Sequence, residues 1–430
     1  MDLTRRRMLA MSMATLVARP VFAQGTPMAV DPDLSATISV WTWPNNDRTF
    51  TALMPAFNKV YPNITVNVQG FPNANSNYLN TVQRALLSGA GPDVAMIELN
   101  ELALLRQRPQ WVDLAAEPFN AGPLLEDFAG FAADNVKTDN GKIVALPKHT
   151  GPGAMFYRRD IFDEVGLPSE PDAVADTFAT WDAFLSEGSK MIVPNERWMI
   201  ANGLEILTVR MGQAGIGWFD ADGNLQLDNP VIIDALDLID QAGKAKLISP
   251  FSMWSPEWQS AFGKGQIATI MSGNWFGGLL KRAFAPNDAG KWGVSPVPAD
   301  ENGSRSWNYG GDFIGVLNTS KNKEAAWAFI HWLVTDNESL KQQYQNDDLY
   351  PAYLPAGSAD WINFEDPYYG GQNVNTVFAE VQRTMKSWPL NTHDRLAGDA
   401  VQVAVDNVAK GVETPEQALE TAEKRIRARL

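Results

Sequence analysis

The chain has 430 residues, 45% of them hydrophobic, a formal charge of −15 and no cysteine. Disulfides, thiol catalysis and thiolate metal sites are therefore excluded, and the acidic balance disfavours nucleic acid and anionic membrane surfaces, which select a basic footprint. The length suggests two or three domains, and 15 Trp are enough to fill cores and still leave several for a binding cleft.

The first 23 residues read as an address. Thr4-Arg5-Arg6-Arg7-Met8-Leu9 fits a twin-arginine pattern, a weakly apolar run follows to Val17, and Val21-Phe22-Ala23 offers a small-residue cleavage site. An ordinary Sec signal with a basic start is the other reading. These residues carry four Arg and one Asp, so the remainder carries −18. Either route predicts a periplasmic protein, and the lack of Cys predicts one without a lipid anchor. No other apolar run approaches the ~18 residues that span a bilayer.

After a loose leader, Thr37 to Trp41 alternates and forms a first strand. The loop Thr42-Trp43-Pro44-Asn45-Asn46-Asp47 leads to a helix carrying Phe50, Leu53, Met54, Phe57 and Val60. Tyr61-Pro62-Asn63 turns the chain into the strand Ile64 to Val68. A second helix, about Tyr78 to Ser88, stops at Gly89-Ala90-Gly91-Pro92 before the buried strand Asp93 to Ile97. Such alternation predicts a mostly parallel sheet covered on both faces. In open α/β sheets ligands sit beyond the carboxyl ends of strands. One such loop holds Trp43, Asn45 and Asp47; another holds Glu98 and Asn100. Trp43, Asn45 and Glu98 are candidate ligand contacts. Asn45 is also open to capping the next helix, and for Asp47 and Asn100 capping is the expectation.

Asp139-Asn140-Gly141-Lys142 reads as a hairpin turn, followed by a strand over Ile143 to Leu146. The Gly- and Pro-punctuated segment Pro147 to Gly153, which contains His149, is the expected first crossing between lobes. A loop spans Pro168 to Ala179. Helices are expected from Thr180 to about Lys190, from Asn202 to Ala214 and from Val231 to Ala245. Between the last two, Asp220-Ala221-Asp222-Gly223-Asn224 invites a calcium reading, but the EF-hand glycine and glutamate registers are missing and a hairpin is expected. Phe262 to Trp275 reads as a helix end, a glycine stop, a short buried strand and a glycine-broken turn carrying Trp275. Trp307-Asn308-Tyr309-Gly310-Gly311-Asp312 leads into the strand Phe313 to Leu317, and Lys323 to Thr335 has helical spacing. Asp347 to Ala352 is the last crossing. Helices over Val374 to Met385, Leu396 to Ala409 and Pro415 to Arg429 finish the chain, with Trp388 between the first two.

Phe262 to Trp275, Gly293 to Pro298, the Gly310-Gly311 pair and Thr319 to Phe329, together with the opening Trp41 to Val66, resemble the family 1 extracellular solute-binding proteins of ABC importers, the maltose-binding-protein-like group. The chain departs from that pattern at Arg158, where Asn usually follows Tyr, and in the longer loop from Pro168. The resemblance implies an α/β, two-lobed periplasmic-binding-protein fold of type II, each lobe a mixed, mostly parallel sheet flanked by helices and joined by three hinge crossings. Lobe 1 would comprise 31–149 plus 305–349, and lobe 2 would comprise 150–304 plus 350–430. It implies no catalysis, no cofactor and no metal. The implied partners are a neutral mono- or oligosaccharide and the transmembrane subunits of an ABC permease, for a protein acting as a monomer.

A sugar presents CH-rich faces and hydroxyl edges, which suit aromatic platforms beside directional donors and acceptors. Trp43, Trp275, Tyr309 and Trp388 are the candidate platforms. Glu98, His149, Asn308, Asp312 and the backbone of Gly310 and Gly311 are the candidate polar contacts. Core packing is the alternative for each Trp, and a solvated hinge position is the alternative for His149. Three rival functions remain. Glu98 and Asp312 could be the two carboxylates of a carbohydrate-cleaving enzyme, Tyr368-Tyr369 could belong to a ferric-iron carrier, and the acidic balance would suit a polyamine or other cation.

Overall fold

The computed structural model describes residues 26–72 and 77–430; the address reading of residues 1–23 lies outside the described residues. The first part of the chain gives β1 (Ala36–Thr42), α1 (Asn46–Val60), β2 (Ile64–Gly70), α2 (Asn77–Ser88), β3 (Val94–Glu98) and α3 (Leu99–Arg106). These follow the expected alternation to within two residues. After α4 (Gly130–Asn135) comes β4 (Leu146–Arg158), then α5 (Arg159–Glu164), α6 (Pro171–Thr177) and α7 (Trp181–Gly188). The next elements are β5 (Trp198–Ile200), α8 (Leu204–Ala214), α9 (Pro230–Lys244), α10 (Pro256–Gly263), β6 (Ile267–Gly273) and α11 (Trp275–Leu279). The chain then forms β7 (Trp292–Ser295), β8 (Asn308–Val316), α12 (Lys323–Thr335), α13 (Asn337–Asp347) and β9 (Tyr350–Pro351). It ends with α14 (Asn375–Thr384), α15 (Asp394–Ala409) and α16 (Pro415–Arg427).

The strands are ordered β2-β1-β3-β8-β4-β6-β5, with β7 and β9 also paired to β4. β1 runs parallel to β2 and β3, and β5 to β6, while β8, β6, β7 and β9 meet β4 antiparallel. One core draws on residues 38–146 and 313–334. Two others draw on residues from 154 onward outside that second range. Helices flank the sheet in both halves, and β4 belongs to both: Leu146 to Pro152 pair with β8, and Gly153 to Arg158 pair with β6 and β7.

Three local expectations are corrected. The segment Pro147 to Gly153 is not a break between strands but the middle of one 13-residue strand, every residue of which is buried. Its prolines lack an N–H, and the ladder absorbs them through register shifts between Pro147 and His149 and between Thr150 and Pro152. The strand starts at Leu146, and Ile143 makes only an isolated bridge to Lys137 across the Asp139–Lys142 turn. The stretch Pro168 to Ala179 contains α6, opened by Pro171 in its first turn. Arg158 is buried against Asp160 and Asp288 and donates to the Phe262 carbonyl, so it braces the second half.

Glycine is required where β4 meets β8. A Cβ on Gly151 would lie 2.1 Å from the Tyr309 carbonyl oxygen, and one on Gly153 would lie 2.1 Å from Cε2 of Trp307, which is fully buried. Further ties connect the halves. Lys281 bridges Asp348 at 2.9 Å and Asp366 at 2.7 Å, and Asn274 Nδ2 donates to the Asp348 carbonyl. On another flank Arg395 of α15 lies 3.7 Å from Glu101 of α3. Glu101 is buried, and neither carboxylate oxygen has a hydrogen bond. Burial and the neighbouring Glu98 raise its pKa to about 8 against the opposing pull of Arg395.

Gly153→Ala should force the buried Trp307 aside and cost about 1–3 kcal/mol, as overpacked cores do. The urea midpoint of this variant should fall, while Gly357→Ala, where a Cβ meets nothing within 4 Å, should leave it unchanged. Glu101→Gln should act with the opposite sign at high pH. The raised acid binds its proton more tightly folded than unfolded, so its ionisation opposes folding as pH rises through about 8. The glutamine variant should have the higher urea midpoint at pH 9, and its advantage should shrink steadily towards pH 5, where the wild-type carboxyl is protonated in the folded protein.

Candidate functional site

The carboxyl ends of β1 and β3 and the middle of β4 and β8 open onto a cleft between the two halves. It has two adjoining chambers. The first, about 430 Å³, is lined by Trp43, Asn45, Glu98, His149, Trp275, Tyr309, Gly310, Gly311 and Asp312 of the expected residues. The second, about 780 Å³, shares Glu98, Tyr309 and Gly310 with it and adds Asn308 and Trp388.

The polar wall follows from strand register. Asp312 on β8 pairs with Glu98 on β3 and with His149 on β4, so three neighbouring strands set these side chains in a row. Asp312 is buried, and burial lifts its pKa to about 7, with Glu98 adding to the rise and Lys148 opposing it. His149 Nδ1 lies 3.3 Å from Asp312 Oδ2 without the alignment of a hydrogen bond. Burial, reinforced by Lys148, holds the His149 pKa well below its usual value, so the imidazole is neutral at pH 7. Lys148 is itself buried beneath the wall, donating to Asn46 Oδ1 at 3.1 Å. Burial lowers its pKa, while Asp312 and Asp347 hold on to its charge.

The aromatic wall follows from β6 and its successor. Trp275 does not sit on an open turn as expected; it is the first residue of α11. Its Nε1 donates to the Tyr309 carbonyl at 2.7 Å. That contact needs glycine at 273, where a Cβ would lie 2.5 Å from the indole nitrogen and 2.6 Å from the Tyr309 carbonyl oxygen, and Gly310 and Gly311 beside it take left-handed backbones (φ 100° and 136°). The Trp275 ring stacks on Tyr309 with centroids 5.9 Å apart at 28°, and on Trp254 at 6.2 Å and 22°. Trp43 stands edge-on to Tyr78 at 5.2 Å.

The remaining expected residues divide by what they touch. Asn308 is committed to the backbone, accepting from Gly151 N–H at 2.9 Å and donating to the Gly310 carbonyl at 2.7 Å, so it holds the crossing strands together. Trp388 lies on Phe131 with centroids 4.6 Å apart, leaving an edge on the second chamber. Asn45 precedes α1 with φ 82°, and its side chain caps nothing; it accepts from Arg48 Nη2 instead. The capping expectations for Asp47 and Asn100 are corrected. Both lie inside the first turn of their helices, α1 and α3, and not at the N-cap; the Asp47 carboxylate accepts from the Arg48 N–H at 2.7 Å, and Asn100 lines both chambers.

Several lining residues escaped the sequence reading. Trp254 is 45% exposed with φ 67°, a rare backbone for a bulky side chain. Its only sequence signal is its place just before Ser255, whose hydroxyl caps α10. Asp347, at the end of the unforeseen helix α13, accepts the Thr49 hydroxyl and lies 3.3 Å from Arg282. Tyr368 and Tyr369 are both buried in a core, with the Tyr368 hydroxyl given to the Ala285 carbonyl, so the tyrosine pair is not available to iron. Among the described residues no cluster of three or more His, Asp or Glu could hold a metal. No helix among them is long and apolar enough to cross a membrane.

Comparison with known proteins agrees with this architecture. The arabinooligosaccharide-binding protein of Halalkalibacterium halodurans is 25% identical over 367 residues, covering 82% of this chain and 80% of that protein. The maltotriose-binding protein of Pyrococcus abyssi is 25% identical over 393 residues, covering 87% and 78%. Among solved structures, an extracellular solute-binding protein of family 1 superposes with a TM-score of 0.79 at 21% identity, covering 91% of this chain and all of that one. A binding protein of Bifidobacterium animalis subsp. lactis in complex with β-1,6-galactobiose gives 0.73 at 24% identity, covering 91% and 96%. Residues 42–338 match the bacterial extracellular solute-binding proteins, and the chain belongs to that family.

Proposed function

We propose that the protein captures a neutral sugar between its two lobes and presents it to an ABC permease, without altering it. The observation that carries this reading is the meeting of two sets of residues in one cleft: the stacked rings of Trp254, Trp275 and Tyr309, and the row Glu98, Asp312 and His149. Flat apolar faces suit the CH side of a sugar ring, and fixed carboxylate and imidazole edges suit its hydroxyls. The relatives named for arabinooligosaccharide and maltotriose support the ligand class. The lobes, 31–149 plus 305–349 and 150–304 plus 350–430, close about β4, β8 and β9. The protein works as a periplasmic monomer.

The rival readings lack a fitted site. A glycosidase sets two carboxyl groups on either side of the scissile bond, whereas Glu98 and Asp312 are register partners on one wall. A polyamine would meet Arg282 as well as the carboxylates, with the charge of the buried Lys148 beneath them. A thermal-shift and calorimetry panel of sugars, polyols, spermidine and ferric citrate tests the assignment. Stabilisation by a sugar, with the sugar recovered unaltered, is the expected result; stabilisation by spermidine or iron alone would overturn it. Small-angle scattering at saturation should also show a smaller radius of gyration than for the free protein.

Trp275→Ala should remove a stacking face worth about 0.5–1.5 kcal/mol beyond its area. With the area included, the loss is about 2–3 kcal/mol, or roughly 30- to 150-fold in dissociation constant by calorimetry. Because the ring is only half-buried, the urea midpoint should move less than a core Trp truncation would require. A large drop in midpoint with unchanged affinity would remove Trp275 from the site.

A further inference from the structure

We propose that Glu205 is a positioning residue for the sugar platform, bracing the split between β5 and β6 from which Trp275 is presented to the cleft. The assignment rests on the sugar reading and extends it to a residue behind the two chambers. β5 and β6 run parallel, with Trp198 paired to Ile267 and Ile200 to Thr269, so a continued ladder would next pair Asn202 with Met271. The chain turns away instead. The Ala201 carbonyl, which that rung would use, accepts from Ser249 Oγ at 2.8 Å, and α8 starts at Leu204. Met271 N–H would then be buried without an acceptor, at a cost comparable to a lost hydrogen bond.

Glu205 fills that gap. Its Oε2 accepts from Met271 N–H and its Oε1 from Asn202 N–H, both at 2.7 Å, so one carboxylate stands in for the missing rung. The Asn202 bond alone would be an ordinary helix-start contact; the reach to β6 is what ties the two elements. The side chain is buried. Burial lifts its pKa to about 8, and the groups that favour its charge are the backbone N–H groups of Met271, Asn202 and Ala201. A carboxylate buried in this way costs more than a neutral filler, but two acceptor oxygens on one side chain can take both N–H groups, which a glutamine cannot.

The brace stands directly behind the aromatic wall. A small cavity of about 20 Å³ is lined by Glu205 together with Trp254, Trp275 and Tyr309. The carboxylate is also felt at Tyr309, whose hydroxyl pKa burial pushes up to about 12 with Glu205 adding to the rise. Four residues beyond Met271, Trp275 opens α11, gives its indole N–H to the Tyr309 carbonyl at 2.7 Å and stacks on the Tyr309 ring. A displacement of β6 at Met271 would carry Trp275 with it and disturb that stack.

A double-mutant cycle with Trp275 separates positioning from general stability. The full-length protein, Glu205→Gln, Trp275→Ala and the double variant are titrated by calorimetry with maltotriose, arabinotriose and β-1,6-galactobiose. Their near-UV circular dichroism is recorded without sugar. Glu205→Gln turns an amide N–H towards one of the two backbone N–H groups, so it should weaken sugar binding about 10-fold in the wild-type background. In the Trp275→Ala background the further loss should stay below about 2-fold. The same substitution should remove at least half of the near-UV signal that Trp275→Ala removes. Equal affinity losses in both backgrounds, or an unchanged affinity and spectrum in a folded Glu205→Gln, would overturn the proposal. Should none of the three sugars bind, the sugar reading loses support while the spectra still decide whether Glu205 positions Trp275. Glu205→Asp, one methylene too short to span both N–H groups, takes the place of the glutamine variant if that does not fold. If neither folds, Glu205 holds the fold itself and the proposal is overturned.

Discussion

The approach of β4 to β8 is the constraint on which the rest of the molecule depends. β4 runs through both halves, and β8 lies against it so closely that Gly151 and Gly153 have no room for a methyl group. These two strands run between the halves and place side chains from both within reach of one cleft. Asn308 reinforces the approach by spending its amide on the Gly151 N–H and the Gly310 carbonyl. The same geometry releases the Tyr309 carbonyl to accept the Trp275 indole, so the packing constraint also sets the aromatic wall.

The polar wall is a second consequence. Register alone brings Glu98, Asp312 and His149 side by side, because β3, β8 and β4 are neighbours at that level. Buried charge is expensive unless paired, and the cluster is only partly paired. Lys148 lies beneath it, while burial and Glu98 hold the Asp312 pKa near 7 and burial keeps His149 neutral. Of this row, His149 Nδ1 is buried without a hydrogen bond.

Much of this was legible in the sequence, for a physical reason. The periodic helices and the buried strands of the first part of the chain carry their signal locally, in apolar spacing and in glycine or proline stops. The candidate contacts were legible too, because strand ends in α/β sheets and glycine-flanked aromatics point to clefts. What failed was whatever depends on partners distant in the chain. Pro147 to Gly153 reads as a broken connector because proline and glycine disrupt isolated strands, but here the bulges against β8 absorb the one and the close approach demands the other. Asn100 and Asp47 read as caps because each sits near a helix start, and a shift of two residues in that start turns a cap into a first-turn side chain. Trp254 carries no signal beyond its place before the capping Ser255. Its left-handed backbone and its stacking on Trp275 exist only once α10 and α11 have come together.

The charge arrangement argues for the kind of ligand the cleft accepts. A cation entering the first chamber gains from Glu98 and Asp347 but must face Arg282, already 3.3 Å from Asp347, and the buried Lys148. An anion gains from Arg282 but must approach Glu98 and Asp312. A hydroxyl escapes both penalties, since it donates to a carboxylate and accepts from an imidazole N–H or a protonated carboxyl with the same oxygen. It also tolerates either protonation state of Asp312, whose pKa lies near 7, by rotating its proton. A polyhydroxylated neutral molecule can therefore bond to the wall, including the unpartnered His149 Nδ1, without moving any of its charges, and the stacked rings that line the same cleft offer its apolar face a surface to rest on.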